Sequence, residues 1–204
     1  MTDMTDADSA GDATIARLYD LGATVLADPP DESLVRTLRD GGFPSPDTAP
    51  NDRLAAGLVG LRTWAEGIED PAEEARRLHA VHTRLFVGPR PTLQIHESWY
   101  EGDYLGEPLA AVSADYDALG IRPAPDLKEE ADHAAVELAA LRELSKRATD
   151  DPEPKATFLA DHGEWFDAFA DDVCEAAAGE FYPAIADLVA GLVALDADRL
   201  GVTR

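Results

Sequence analysis

Apolar residues recur at helical spacing in almost every segment of this chain, and that pattern constrains the fold more than any other feature. Ile15, Leu18, Tyr19, Gly22, Val25 and Leu26 fall on one face, and Pro29-Pro30 stop the run. Asp31 to Arg39 reads as a short helix ended by Gly41-Gly42. Leu54, Leu58, Leu61, Ala65 and Ile68 mark another, entered through Asn51 or Asp52 as cap. Pro71 suits a first helical turn, with Ala75, Leu78, Val81, His82 and Leu85 on the inner face that follows. Leu109 to Leu119 reads as helical up to Gly120, and Lys128 to Ala148 as a long helix opened by Asp126. Beyond a polar linker at 149–154, two further helices carry Trp165, Phe169 and Val173, then Phe181, Ile185, Leu188, Leu192 and Leu195. No stretch sustains period-two alternation. The expected class is all-α, a single-domain multi-helix bundle over residues 13–200 behind an acidic flexible segment at 1–12. Only 88–106 lacks a steady period, and its Trp99, Tyr100 and Tyr104 argue for packing against something.

The chain has 204 residues, 45% of them hydrophobic, enough for one core. No run approaches the roughly 18 apolar residues of a membrane span. The acidic start has neither the basic nor the apolar region of a signal peptide, so none is expected. Cys174 is the one cysteine, which excludes an internal disulfide and is compatible with a reducing cytoplasm. The net charge is −24; Asp outnumbers Glu by 25 to 16, and 3 of the 17 bases are Lys. The acids are spread along the whole chain rather than gathered in a tail. Such a surface fits a high-salt cytoplasm, where ions screen self-repulsion within a few ångströms, or one selected for cationic partners. It disfavours phosphate-driven binding of nucleic acid.

Three strings carry the remaining information. Arg84-Leu85-Phe86-Val87-Gly88-Pro89 reads as a helix exit: Leu85 and Phe86 anchor, Gly88 caps and Pro89 forbids continuation. His96-Glu97-Ser98-Trp99-Tyr100 follows within the aperiodic stretch. The third is Asp132-His133 with Glu137-Leu138. On a helical wheel begun at Lys128, Glu137 lies inside the stripe of Ala131, Ala134, Leu138, Leu141, Leu144 and Ala148. A carboxylate there requires a partner, whether an arginine, a tyrosine hydroxyl or His133. The same wheel puts His133 at the stripe's edge and Asp132 further out; the arrangement reads as a structural ion pair that locks two helices, or else as Asp132 and His133 facing a pocket while Glu137 anchors their helix. Metal and nucleophile chemistries find little footing. His79 and His82, or His133 and Glu137, could share a ligand face, but the Glu-x-x-His and His-Glu-x-x-His patterns are missing. Cys174 has acidic neighbours, which hold a thiol protonated.

In order and spacing, these strings resemble the TorD/DmsD/NarJ family of molybdoenzyme assembly chaperones, over roughly Leu54 to Leu200. Asp132-His133 with Glu137-Leu138 is similar to that family's Asp-His helix. Phe158-Leu159, His162, Trp165 and Phe181-Tyr182 resemble its C-terminal helices. His82 stands where the family pattern has an aromatic, usually Tyr. The resemblance implies a cytoplasmic, non-enzymatic chaperone without a cofactor. It would hold the apo catalytic subunit of a molybdopterin oxidoreductase, bind its twin-arginine leader and support cofactor insertion before export or assembly. It assigns leader recognition to Asp132 and His133. Glu97 would add a carboxylate, and Ser98, Trp99, Tyr100 and Phe86 would wall the peptide site, while Glu137, Gly88 and Pro89 are structural. A monomer and a domain-swapped dimer both suit such a bundle. The rival readings are a small metal-dependent helical-bundle enzyme and a structural adaptor subunit of the mature complex.

Overall fold

The computed structural model describes residues 3–88, 90–122, 127–148 and 151–203, with side chains from residue 11 onward. Among these residues there are ten α-helices, one 3-10 turn and no strand beyond an isolated bridge. The fold is all-α, as the periodicity requires.

Helix α1 (Asp3–Ala27) begins inside the acidic segment assigned to a flexible end and stops before Pro29-Pro30. Helix α2 (Glu32–Arg39) is capped by Asp31, whose side chain accepts the Leu34 N–H. Helix α3 (Asp52–Glu66) is capped by Asn51, and α4 (Pro71–Phe86) by Asp70. Helix α5 (Glu97–Tyr100) is a single turn inside the stretch without periodicity, followed by α6 (Glu107–Leu119), which ends on left-handed Gly120. Then come α7 (Ala134–Arg147), α8 (Glu153–His162), α9 (Trp165–Ala176) and α10 (Phe181–Leu200). Helix α8 takes up a region left unassigned from the sequence. Gly163 is its C-cap, and the site admits only glycine without a shift: a Cβ there would sit 2.5 Å from the Leu159 carbonyl oxygen.

Helix α10 is the hub. Ala184, Ile185, Leu188, Val189, Leu192 and Val193 are all nearly inaccessible to water. Its approach to α3 is set by glycines: a Cβ on Gly57 would lie 2.4 Å from the Leu188 nitrogen, and one on Gly191 2.3 Å from the Leu54 nitrogen. Asn51 ties the same joint, accepting from Leu54 N and donating through Nδ2 to the Gly191 carbonyl at 2.8 Å. A second joint is ionic. Lys155 of α8 pairs with Asp196 of α10, and the Tyr19 hydroxyl of α1 donates to the same carboxylate at 2.8 Å. All three side chains are buried.

Two expectations about α7 need correction. The helix starts at Ala134, six residues later than Lys128, and His133 is its N-cap, with Nδ1 accepting the Ala135 N–H at 3.1 Å. The proposed cap Asp126 lies outside the described residues, as do Pro89 and the first two residues of the 149–154 linker. The wheel therefore holds for Glu137 and fails for Asp132 and His133, which precede the helix.

Candidate functional site

The second and third strings are welded to each other. His96 and His133 form an antiparallel bridge, with Glu97 N donating to the Asp132 carbonyl at 2.9 Å and Ala134 N to the Ile95 carbonyl at 2.9 Å. This pairing stops α7 from extending backwards: His133 is held extended against His96, and Ala131 and Asp132 before it form a turn. It also fixes Asp132, whose carboxylate Oδ2 accepts from Ser98 N at 3.2 Å and from Ser98 Oγ.

Asp132 is therefore buried, not facing a groove, with no accessible surface. Glu97, Ser98 and His133 are buried too. Phe86, expected at the peptide site, is a core residue, edge-on to His82 at 5.3 Å and to Tyr182 at 5.5 Å. Tyr100 is half-buried against Trp165, with its hydroxyl donating to Asp172 at 3.1 Å. Of the residues expected to touch a peptide, Trp99 alone is largely exposed, at 51%. Gly88 has φ of 104°, which explains glycine at the turn behind α4.

Behind the weld lies a cluster rich in acid. Glu137 is completely buried, and its Oε2 accepts from the Trp165 indole at 3.0 Å. Its Oε1 meets no donor, and its carboxyl lies against that of Glu97. Burial first, then the Glu97 charge, pushes the Glu137 pKa well above the usual carboxylate range. The neutral form of Glu137 is thereby favoured over the carboxylate. The partner sought among arginine, tyrosine and His133 is an indole and a second carboxyl, and there is no ion pair.

Glu97 in turn meets His162, whose Nδ1 lies 3.0 and 3.1 Å from its two oxygens, while Nε2 lies 2.9 Å from Asp115. Burial opposes a charged imidazole, but the two carboxylates outweigh it and raise the His162 pKa. The family resemblance puts His162 among the C-terminal helices, and only as a conceivable metal ligand does the sequence offer it a role; it ends α8, and its partners are 65 and 47 residues away. His133 is held neutral instead. Burial, reinforced by His96 and His82, pushes it down to about 3.

The outer side of this cluster is apolar and exposed. Trp99, Tyr104 and Leu105 show 51%, 47% and 46% of their surface. Tyr104 meets Trp99 edge-on at 5.9 Å and His96 at 5.8 Å. Glu101, Asp103 and Glu107, on the same turn, are exposed acids. The arrangement presents a rigid aromatic surface with nearby negative charge. Among the described residues no group of three or more His, Cys, Asp or Glu side chains could hold a metal ion, and no helix is long and apolar enough to cross a membrane.

A family model described as nitrate reductase delta subunit matches residues 49–175, more than half of the chain. No curated protein matches. The matched span contains all three strings and both faces of the weld.

Proposed function

Because the chain belongs to the nitrate reductase delta subunit family, whose members are maturation chaperones of molybdoenzymes and act with a catalytic subunit, we propose that it binds the leader peptide and apo form of such a subunit while the molybdenum cofactor is installed. Export by the twin-arginine route, or assembly, follows release. The work is done in the cytoplasm. The chaperone contributes binding, not chemistry.

One observation carries this reading: the exposed Trp99–Tyr104 surface, with acids beside it, stands on a turn held by two of the three family-like strings. A twin-arginine leader offers two guanidiniums followed by an apolar stretch. Exposed carboxylates form forked, charge-assisted hydrogen bonds to guanidinium, and aromatic faces take the apolar part. Glu101, Asp103 and Glu107 replace the buried Glu97 and Asp132 as the carboxylates able to do this. The metal-dependent enzyme draws no support from the donor sets present.

The test is a titration of labelled twin-arginine leader into the protein at molar KCl, which suppresses nonspecific attraction of a cation to a −24 chain. The leader should bind, and replacing both arginines with lysine should weaken binding roughly five- to twentyfold, since lysine cannot form the fork. Equal affinity for the two leaders would count against arginine recognition.

A further inference from the structure

Leu105 has φ of 57°, and it is the only non-glycine with positive φ among the described residues. That region is sterically disfavoured for an L side chain. Its N–H donates to Ser98 Oγ at 2.9 Å, and the Ser98 hydroxyl donates to Asp132 Oδ2. A relay thus runs from the strained surface residue to a carboxylate with no accessible surface. The turn is closed by Asp103 N on the Ser98 carbonyl at 3.0 Å and by Glu107 N on Asp103 Oδ2 at 2.8 Å.

The strain has one visible consequence: the Leu105 side chain is held out in water beside Tyr104, on the turn that carries Trp99. A single exposed leucine is ordinary. Three large apolar side chains exposed within seven residues, on a turn kept strained by a buried carboxylate, are not. The charge around them selects the partner. Glu101, Asp103 and Glu107 are exposed and unaccompanied by any base between Tyr100 and Leu119.

We infer that Trp99, Tyr104 and Leu105 form a docking surface for an apolar peptide segment bearing cationic side chains, and that Asp132 and Ser98 are positioning residues that hold Leu105 outward. The inference rests on the client-binding reading above but reassigns its residues. Asp132 acts through Ser98 and never touches the peptide; Tyr104, one of the aromatics of the aperiodic stretch, and Leu105, for which the sequence carries no signal, do.

The test uses two labelled peptides at molar KCl: a twin-arginine leader, and a peptide of alternating leucine and arginine without an arginine pair. Trp64 and Trp165 are 5% and 3% exposed, so acrylamide quenching reports on Trp99. Bound peptide should protect Trp99. Leu105→Gly, which relieves the strain, should leave the melt unchanged or raised and weaken peptide binding roughly ten- to a hundredfold, the worth of a buried leucine. Ser98→Ala should weaken binding in the wild-type background and add nothing in the Leu105→Gly background, where no side chain remains to be positioned. A merely structural serine would weaken binding equally in both, and that result overturns the relay. Leader binding unaffected by Leu105→Gly would overturn the surface while sparing the leader reading. Protection of Trp99 by the leucine–arginine peptide but not by the leader would keep the surface and reject the leader. Binding of neither peptide overturns the inference.

Discussion

Two buried polar joints hold this bundle, and they are balanced in opposite ways. At Lys155–Asp196–Tyr19, one cation meets one anion and a hydroxyl, and the charges cancel. At Glu97–Glu137–His162–Asp115, two carboxyl groups, Glu97 and Asp115, flank one imidazole, and a third, Glu137, lies against Glu97, where burial and that neighbouring charge favour its neutral form. The first joint lies on α1, α8 and α10. The second backs the weld between α5 and α7, directly behind the Trp99–Tyr104 turn. A complete ion pair needs only to stay buried. An acid-rich joint makes local structure depend on where protons sit, and it is the one placed beneath the candidate docking surface.

The largest expected effect is read by pH and lies in the weld that the second joint backs. His133, next to Asp132, has its pKa driven down to about 3, from an ordinary value of 6.5. Below pH 6.5 the unfolded chain takes up a proton that the folded chain refuses, so stability falls as pH falls toward 3. At about 1.4 kcal/mol per unit, the full window amounts to roughly 3–5 kcal/mol. The pKa values of buried His82 and half-buried His96, both lowered chiefly by desolvation, act in the same direction. His133→Asn retains a capping acceptor without the titration. Urea midpoints at pH 7 and pH 4.5 should converge for this variant relative to wild type; an unchanged acid slope would show that His133 does not govern it.

The next effect is similar in size but insensitive to pH near neutrality. Lys155→Met leaves Asp196 buried without its cation and should destabilise by about 3–5 kcal/mol. Adding Asp196→Leu should recover much of that loss, because the desolvation of both charges disappears together. If the double variant is no better than the single one in denaturant unfolding, the pair is not the isolated, self-cancelling joint described above.

Legibility in the sequence divides along the same line. Local features are readable: Asn51 and Pro71 stand where a cap and a first turn belong, Asp31 is the cap of a helix whose start the sequence puts one residue early, and the φ of Gly88 suits its place after the α4 exit. Glu137 was readable as buried because it falls inside an apolar stripe. Its partner was not, since Trp165 is 28 residues away and chemically unlike the ions that a buried carboxylate suggests. Asp132 was misplaced for a specific reason. Lys128–His133 is compatible with a helix, but it forms a turn that ends in the bridge of His133 to His96; wheel geometry then exposes a side chain that tertiary structure buries. The Glu97–His162–Asp115 chain joins three helices and left no local signal.

Glu137 offers a finer discrimination. With its pKa raised, Glu137 must stay protonated in the fold while the unfolded chain ionises, so stability is lost as pH rises above the ordinary carboxylate value toward the folded one. The raised pKa of His162 has the same sense: its contribution is complete below 6.5 and is lost as pH climbs through the folded value. Glu137→Gln keeps an acceptor for the Trp165 indole and removes one of these titrations. It should change stability by about 1 kcal/mol or less at pH 7 and flatten the alkaline slope. Glu137→Ala should cost more, roughly 2–4 kcal/mol, by opening a cavity and stranding the indole N–H. Equal losses in the two variants would mean that volume, not the shared proton, is what Glu137 supplies.

The smallest effect lies on the surface and uses salt as the probe. Arg53 bridges Asp167, Asp171 and Asp187 at 3.1, 2.6 and 3.2 Å, with the first two carboxylates well exposed. Pairs of this kind contribute about 0–1 kcal/mol and are screened by ions. Arg53→Gln should therefore destabilise by at most about 1 kcal/mol at tens of millimolar KCl and by less at molar KCl, whereas the loss in Lys155→Met should be nearly the same at both. Over this, the whole chain should melt higher as salt rises, because 41 acids against 17 bases repel one another whenever the Debye length exceeds their spacing. That rise is the signature of the high-salt adaptation we propose for the acidic surface. A melting temperature flat from tens of millimolar to molar KCl would remove that proposal and leave cationic partners as the reason for the charge. A Lys155→Met loss that shrinks with salt as the Arg53→Gln loss does would show that water reaches the α8–α10 joint and that its two charges are not buried in solution.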